Sequence, residues 1–245
     1  MNLRGTLAPL VLAVALFGCG KQQPRHIILM PDVSGSIDRD SLKQAFVEID
    51  ELASHLRRGD KVTIVPILGD AQAEASGRII RFIVPTNRQA YESDLRKFAL
   101  TLRTALEELK FSAMKAPGAR TDILGSISLA EQEIRPDFGT TKEIVVILSD
   151  FIQDDGEVEF VRDRRLDDRA AAEEFARQMA KKDKLDFGGI PVYLGVLKSR
   201  EFTGCSRNRR SAILGFWISY FTSLHAAPQY ATDGLGLLKR IASTE

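Results

Sequence analysis

The sequence is poor in the residues that build zinc sites. Its 245 residues contain only two cysteines, Cys19 and Cys205, and three histidines, His26, His55 and His225, which are far apart. Structural zinc is held by clustered Cys and His side chains, so we expect no zinc site of that kind.

An excess of charge of one sign is also absent. The chain has 34 Lys and Arg residues against 33 Asp and Glu residues, which gives a formal net charge of +1. Nucleic-acid binding depends on basic surfaces, and no basic run with interleaved aromatic residues occurs. We therefore expect no nucleic-acid partner. With 44% hydrophobic residues, the chain is long enough to bury one full core.

An apolar run long enough to span a bilayer is missing. The longest candidate, Thr6 to Phe17, follows Arg4 and is too short for a transmembrane helix, which is typical of a secretion signal. The sequence Leu16-Phe17-Gly18-Cys19 resembles the bacterial lipobox, in which cleavage before the cysteine leaves it lipid-modified. A plain signal peptide with an incidental cysteine is the alternative.

The lipobox predicts three regions. They are a lipoprotein signal peptide over 1–18, a lipidated tether over 19–25 that attaches the chain to the membrane through Cys19, and a folded domain over 26–245. Lipidation of Cys19 leaves Cys205 alone, so the core must stabilise the fold without disulfides. The residue after the cysteine is Gly20, whereas inner-membrane retention is associated with Asp at this position. The sequence therefore favours the outer membrane of the bacterial envelope.

Apolar runs of strand length alternate with segments of helical periodicity, which predicts an α/β fold. We expect a Rossmann-like three-layer sandwich, with a mostly parallel sheet of about six strands, one antiparallel edge and helices on both faces. The predicted strands lie near His26 to Met30, Lys61 to Leu68, Ile79 to Val84, Glu143 to Leu148, Val192 to Leu197 and Gln229 to Ala231. The charged stretch from Asp154 to Arg169 is interpreted as a surface insertion.

The loop after the first predicted strand is the most informative stretch. Asp32-Val33-Ser34-Gly35-Ser36 places a carboxylate and two hydroxyls at alternate positions, and Gly35 gives the loop freedom to turn. Such hard oxygen ligands suit Mg²⁺ better than Zn²⁺. The same residues are also favoured at helix starts, so the loop by itself leaves a simple capping role open.

Two further loops carry oxygen ligands at predicted sheet ends. Thr121 precedes the apolar-periodic segment Ile123 to Ile134 at the position of a helix cap, and Asp150 follows the buried-type strand that ends in Ser149. The loops at the carboxyl ends of parallel strands meet at one edge of a sheet. We therefore expect these side chains to approach Asp32.

This three-part pattern resembles the von Willebrand factor type A domain and its metal-ion-dependent adhesion site. The resemblance covers nearly all of the mature chain and implies that one divalent cation is held by Asp32, Ser34, Ser36, Thr121 and Asp150. It implies Mg²⁺, with Mn²⁺ or Ca²⁺ as alternatives, and a protein partner whose Asp or Glu becomes the last metal ligand. One departure is Arg120, where the family often has Gly.

The resemblance implies binding and not catalysis, and two alternatives stay open. The first is a metal-dependent phosphoryl-transfer hydrolase, although haloacid dehalogenase-like phosphatases carry a second Asp as general acid where this chain has Ser34. The second is an envelope scaffold whose cation only stiffens the loops. No Walker A loop, nucleophile elbow or dinucleotide fingerprint is present.

Overall fold

The computed structural model describes residues 23–71, 78–86, 91–115, 120–134, 141–231, 236–238 and 241. The predicted signal peptide, Cys19 and most of the predicted tether lie outside the described residues. Within them, no helix is both long and apolar enough to cross a membrane.

The core of the fold is a six-stranded sheet in the order β3-β2-β1-β4-β5-β6. Strand β3 is antiparallel to β2, and the other neighbouring pairs are parallel. The predicted sheet with one antiparallel edge is thereby confirmed. The strands are β1 (Arg25–Pro31), β2 (Lys61–Ile64), β3 (Ile80–Ile83), β4 (Lys142–Ser149), β5 (Pro191–Val196) and β6 (Ala227–Ala231).

Helices flank the sheet, which confirms the three-layer α/β fold. Helices α1 and α2 contact each other, and α4 packs along α6. Their bounds are α1 (Arg39–Ser54), α2 (Tyr91–Lys115), α3 (Ile123–Glu133), α4 (Arg169–Asp183), α5 (Arg200–Gly204) and α6 (Arg207–Ser223). Helix α5 was not predicted, because five residues are too few to show helical periodicity.

Strand β1 lies at the centre of the sheet and is buried along its whole length. This burial explains its apolar run, since a parallel strand covered on both faces needs apolar side chains in both directions. The strand begins at Arg25, one residue before the predicted start of the domain. Arg25 forms a buried ion pair with Asp60, with 2.7 Å between Nη2 and Oδ2.

The direction of the chain crossings reverses between β1 and β4. From β1 the chain crosses to β2 on one side, whereas from β4 it crosses to β5 on the other. At such a switch point the loops leaving two neighbouring strands diverge and open a crevice at the carboxyl ends. The loops that begin at Asp32 and Asp150 both start there, and the Asp32 amide donates to the Leu148 carbonyl at 2.8 Å.

The interpretation of Asp154 to Arg169 as a surface insertion is wrong in part. Phe160 and Leu166 within it are fully buried, and the Phe160 ring meets Phe216 of α6 edge to face, with 4.8 Å between centroids. Charged residues around them face outward. Examples are the exposed Arg164, Arg165 and Asp167 of the 3₁₀ turn over Arg164–Asp167. The segment therefore belongs to the core as well as to the surface.

Candidate metal centre

The Asp32 loop turns tightly and brings its two hydroxyls together. Asp32 is fully buried, and its Oδ1 accepts a hydrogen bond from the Ser34 amide at 2.9 Å. The Oγ atoms of Ser34 and Ser36 lie 2.9 Å apart. Ser34 is buried whereas Ser36 is partly exposed, so the group opens to solvent on the Ser36 side.

Ser149, the last residue of β4, fixes the second oxygen of Asp32. Its hydroxyl donates to Asp32 Oδ2 at 2.6 Å and accepts a hydrogen bond from the Phe151 amide at 2.9 Å. Ser149 was not among the predicted site residues. The sequence could have identified it, because Ser149 places a hydroxyl directly after the apolar run of the strand. A buried hydroxyl at that position needs a hydrogen-bond partner.

Asp150 is fully buried and only partly satisfied. Its Oδ1 accepts a hydrogen bond from the Ile152 amide at 2.9 Å, whereas its buried Oδ2 has no hydrogen-bond partner among the residues that the structure describes. Burial raises the pKa of Asp150 to about 7, and the nearby negative charge of Asp32 is the second cause. The Ser199 hydroxyl acts in the opposite direction and lowers this pKa. Burial also raises the pKa of Asp32. Among the described residues, no cationic side chain forms an ion pair with either carboxylate.

The backbone just after Asp150 has an unusual conformation. Phe151 has a φ of 62°, in the left-handed region that a bulky residue rarely adopts. Its carbonyl accepts a hydrogen bond from the buried Trp217 Nε1 at 3.0 Å, and its amide bonds to Ser149. Trp217 of α6 thereby holds the turn that follows Asp150.

Thr121 lies in a loop that borders the same crevice. Its backbone pairs with Asp154 through two hydrogen bonds of 2.8 Å, and the next amide, that of Asp122, donates to the Leu68 carbonyl at 2.8 Å. The neighbouring Ile67 carbonyl accepts from the Val33 amide in the Asp32 loop at 3.2 Å. In the described part of the chain no direct hydrogen bond joins Thr121 to the other four predicted ligands.

The predicted helix cap at Thr121 is wrong, because the cap of α3 is Asp122. The Asp122 side chain accepts hydrogen bonds from the Gly125 amide at 2.8 Å and the Ala71 amide at 3.1 Å. Both residues have side chains that cap helices, and the bond from the Asp122 amide to Leu68 selects the second one. Capping of α3 therefore does not occupy the Thr121 hydroxyl.

Gln153 joins the Asp150 loop to α3 and was missed by sequence reasoning. Its Oε1 accepts hydrogen bonds from the amides of Ile123 at 2.7 Å and Leu124 at 3.1 Å, and the residue is fully buried. We expect Gln153→Ala to lower the free energy of unfolding by about 1–3 kcal/mol, since two buried amides lose their acceptor. Urea denaturation measures this, with Gln178→Ala on the exposed face of α4 as the matched control. A loss no larger than that of the control would contradict the proposed role.

Arg120 is exposed and directed to the adjacent loop. Its Nη1 donates to the Asp155 carbonyl at 3.1 Å. The guanidinium lies so close to Gly156 that a Cβ there would come within 2.4 Å of Nη1. The φ of Gly156, 89°, explains the glycine, because L side chains rarely adopt that conformation. The hydrogen bond gives Arg120 a backbone partner in the loop that pairs with Thr121.

The donor set suits a hard cation. In the described residues no group of three or more His, Cys, Asp and Glu side chains could hold a metal. What the crevice offers is two buried carboxylates and neighbouring hydroxyls, and Mg²⁺ is usually bound through one or two carboxylates with waters completing its shell. The unpartnered Oδ2 of Asp150 fits a ligand position in such a site.

Comparison with solved structures finds distant likenesses. The conserved hypothetical protein BatB from Bacteroides thetaiotaomicron is 16% identical, with a TM-score of 0.46, over 89% of this chain and 95% of that one. An aerotolerance-related membrane protein from Bacteroides fragilis is 16% identical, with a TM-score of 0.47, over 89% of this chain and 96% of that one. A von Willebrand factor type A protein from Catenulispora acidiphila is 12% identical, with a TM-score of 0.46, over 90% of this chain and 41% of that one.

No family model and no curated protein matches the chain.

Proposed function

We propose that the protein is a divalent-metal-dependent protein-binding module without catalytic activity. The observation that carries the proposal is the pair of buried carboxylates at the switch point, of which Asp150 keeps one oxygen without a partner. Burying two acidic groups together is unfavourable unless they are protonated or a cation neutralises them. A divalent cation neutralises both.

Mg²⁺ is the proposed cation, and Mn²⁺ and Ca²⁺ are the alternatives. Asp32 and Asp150 would supply its charge-neutralising ligands, and Ser34, Ser36 and Thr121 would supply hydroxyls. The partial exposure of Ser36 supports a coordination position open to solvent. An Asp or Glu of a protein partner would take that position, and the cation would supply the electrostatic attraction for it.

The proposal includes an anchor in the bacterial envelope through lipid on Cys19, with the outer membrane favoured. A tether of about six residues reaches at most roughly 20 Å. Strand β1 starts at Arg25 and the Asp32 loop leaves its opposite end, so the anchored chain would hold its metal face away from the bilayer.

Two alternatives give different experimental results. A phosphoryl-transfer hydrolase would need a general acid, and the loop position for it holds Ser34, which is a poor proton donor. A scaffold with a purely structural cation would bind metal without any dependence of partner binding on it.

Isothermal titration with MgCl₂ tests the metal, and crosslinked capture from envelope extract in Mg²⁺ and in EDTA tests the partner. We expect the Ser34→Ala/Ser36→Ala variant to lose at least tenfold in Mg²⁺ affinity and to capture no Mg²⁺-dependent partner, because two hydroxyl ligands are removed while both carboxylates remain. Ser54→Ala/Ser223→Ala, with two exposed serines at the ends of α1 and α6, is the matched control.

Equal Mg²⁺ affinity of wild type and the Ser34/Ser36 variant would overturn the proposed site. Metal binding with capture unaffected by EDTA would favour the scaffold. Hydrolysis of p-nitrophenyl phosphate that is lost in Asp32→Asn would favour the enzyme.

A further inference from the structure

A groove of about 810 Å³ lies beside the candidate metal centre, between the start of α1 and the segment from the end of β5 to α6. We propose that this groove holds an acidic, extended segment of the same partner protein whose carboxylate completes the metal site. This proposal rests on the proposed function. The lining of the groove includes Asp38, Asp40, Lys198, Phe202 and Arg210.

The groove begins next to the metal ligands. Ile37, which follows the predicted ligand Ser36, forms a β-bridge with Ser199, and the Asp38 amide donates to the Lys198 carbonyl at 2.9 Å. A partner segment that places one carboxylate at the metal therefore has this groove as its neighbouring surface.

The uncompensated charge of the groove is positive. Lys198 is exposed and Arg210 half-buried, and among the described residues no carboxylate forms an ion pair with either. On the opposite wall Asp40 pairs with Lys43 at 3.2 Å, whereas Asp38 caps α1 by accepting from the Ser41 amide and keeps its charge. Two cations of the groove therefore stand against one uncompensated carboxylate.

Not all of the basic residues near this end of the sheet are available to a partner. Arg209 pairs with Asp167 and donates to the carbonyls of Phe160 at 2.6 Å and Asp163 at 2.9 Å. It therefore holds the loop before the 3₁₀ turn against α6. Arg200 and Arg207 are exposed but do not line the groove. This leaves Lys198 and Arg210 as the pair that selects the ligand.

An acidic peptide segment fits this surface better than a small anion does. The volume lies in the upper part of the range for ligand sites, and Phe202 and the β5 end contribute apolar contact beside the two cations. Charges at the rim of an interface mainly set specificity and the rate of association. Lys198 and Arg210 would thus select among partners that all carry a metal-binding carboxylate.

Fluorescence anisotropy with two synthetic libraries tests the proposal on the folded protein. The first library contains labelled octapeptides with one central Asp and Glu at two of the remaining positions, and in the second library those two Glu residues are Gln. In Mg²⁺ we expect wild type to bind the Glu library about tenfold more tightly than the Gln library. Lys198→Gln/Arg210→Gln should lose this preference, whereas the matched control Lys181→Gln/Arg207→Gln should retain it.

The outcomes separate the groove from the metal. An unchanged preference in the Lys198/Arg210 variant, or a wild type with no preference or no binding, would overturn the groove proposal. A preference that depends on Lys198 and Arg210 but is equal in Mg²⁺ and EDTA would support the groove and count against the metal-dependent function. Equal melting temperatures of the variants exclude unfolding as the cause.

Discussion

Asp150→Asn is expected to lower the affinity for Mg²⁺ at least 100-fold and to stabilise the metal-free protein at neutral and alkaline pH. The affinity falls because the variant removes one of the two carboxylates that neutralise the cation. The stability rises because the buried charge beside Asp32 disappears, while an amide can still accept the Ile152 hydrogen bond.

The dependence on pH has a definite sign. The pKa of Asp150 is about 7 in the folded protein and 3.8 for an ordinary Asp, so between these values the native chain holds a proton that the unfolded chain has released. The stability of the metal-free wild type should therefore fall as pH rises from about 4 to about 7. Mg²⁺ competes with that proton, so the stabilisation it provides should grow over the same interval.

Melting temperatures from pH 5 to pH 8, with and without Mg²⁺, measure both effects. Asp154→Asn is the matched control, because the hydrogen bonds of Asp154 to Thr121 are made by its backbone. An Asp150→Asn protein whose melting temperature still rises with Mg²⁺ as much as wild type would contradict the role of Asp150 as a ligand.

Asp60→Ala is expected to lower the free energy of unfolding by about 3–5 kcal/mol. Asp60 is fully buried and accepts hydrogen bonds from the backbone amide of Arg25 at 2.8 Å, from its Nε at 3.1 Å and from the Arg57 amide at 2.8 Å. Removing the carboxylate leaves the Arg25 guanidinium as a buried cation without its counter-ion. Removing one partner of a buried ion pair is strongly destabilising, because the other charge stays buried and uncompensated.

Urea denaturation at constant m-value measures the loss. The matched control is Glu174→Ala, which breaks an exposed pair with Arg177 and should change the stability far less, because solvent screens that pair. A change for Asp60→Ala as small as for the control would show that Arg25 finds other partners. Asp60 lies at the amino end of the sheet, so a folded Asp60 variant should still bind Mg²⁺ normally.

The sequence predicted the sheet well because burial on both faces forces apolar runs in β1 and β4. Strand β2 was placed up to Leu68 but ends at Ile64, although the Val65 and Ile67 amides still bond to β1. Pro66, which has no amide, interrupts the regular pairing. The apolar run therefore predicted where β2 lies, and Pro66 determines where its regular pairing ends.

The candidate site was predictable only in its local parts. Asp32, Ser34 and Ser36 stand in one loop, so their spacing is visible in the sequence. The bond from Ser149 to Asp32 joins residues 117 positions apart, and that from Gln153 to Ile123 spans 30 positions. Such contacts depend on which way each side chain points after the chain has folded. No local pattern identifies them.

Strand β1 has a mechanical consequence for an anchored binding protein. Its first residue adjoins the proposed lipid tether, its last precedes the Asp32 loop, and it is paired in parallel with β2 on one side and β4 on the other. A pull from a bound partner against the membrane would run lengthwise through this single strand. The hydrogen bonds on both sides would then be loaded in shear and would share the force. They would therefore not break one after another.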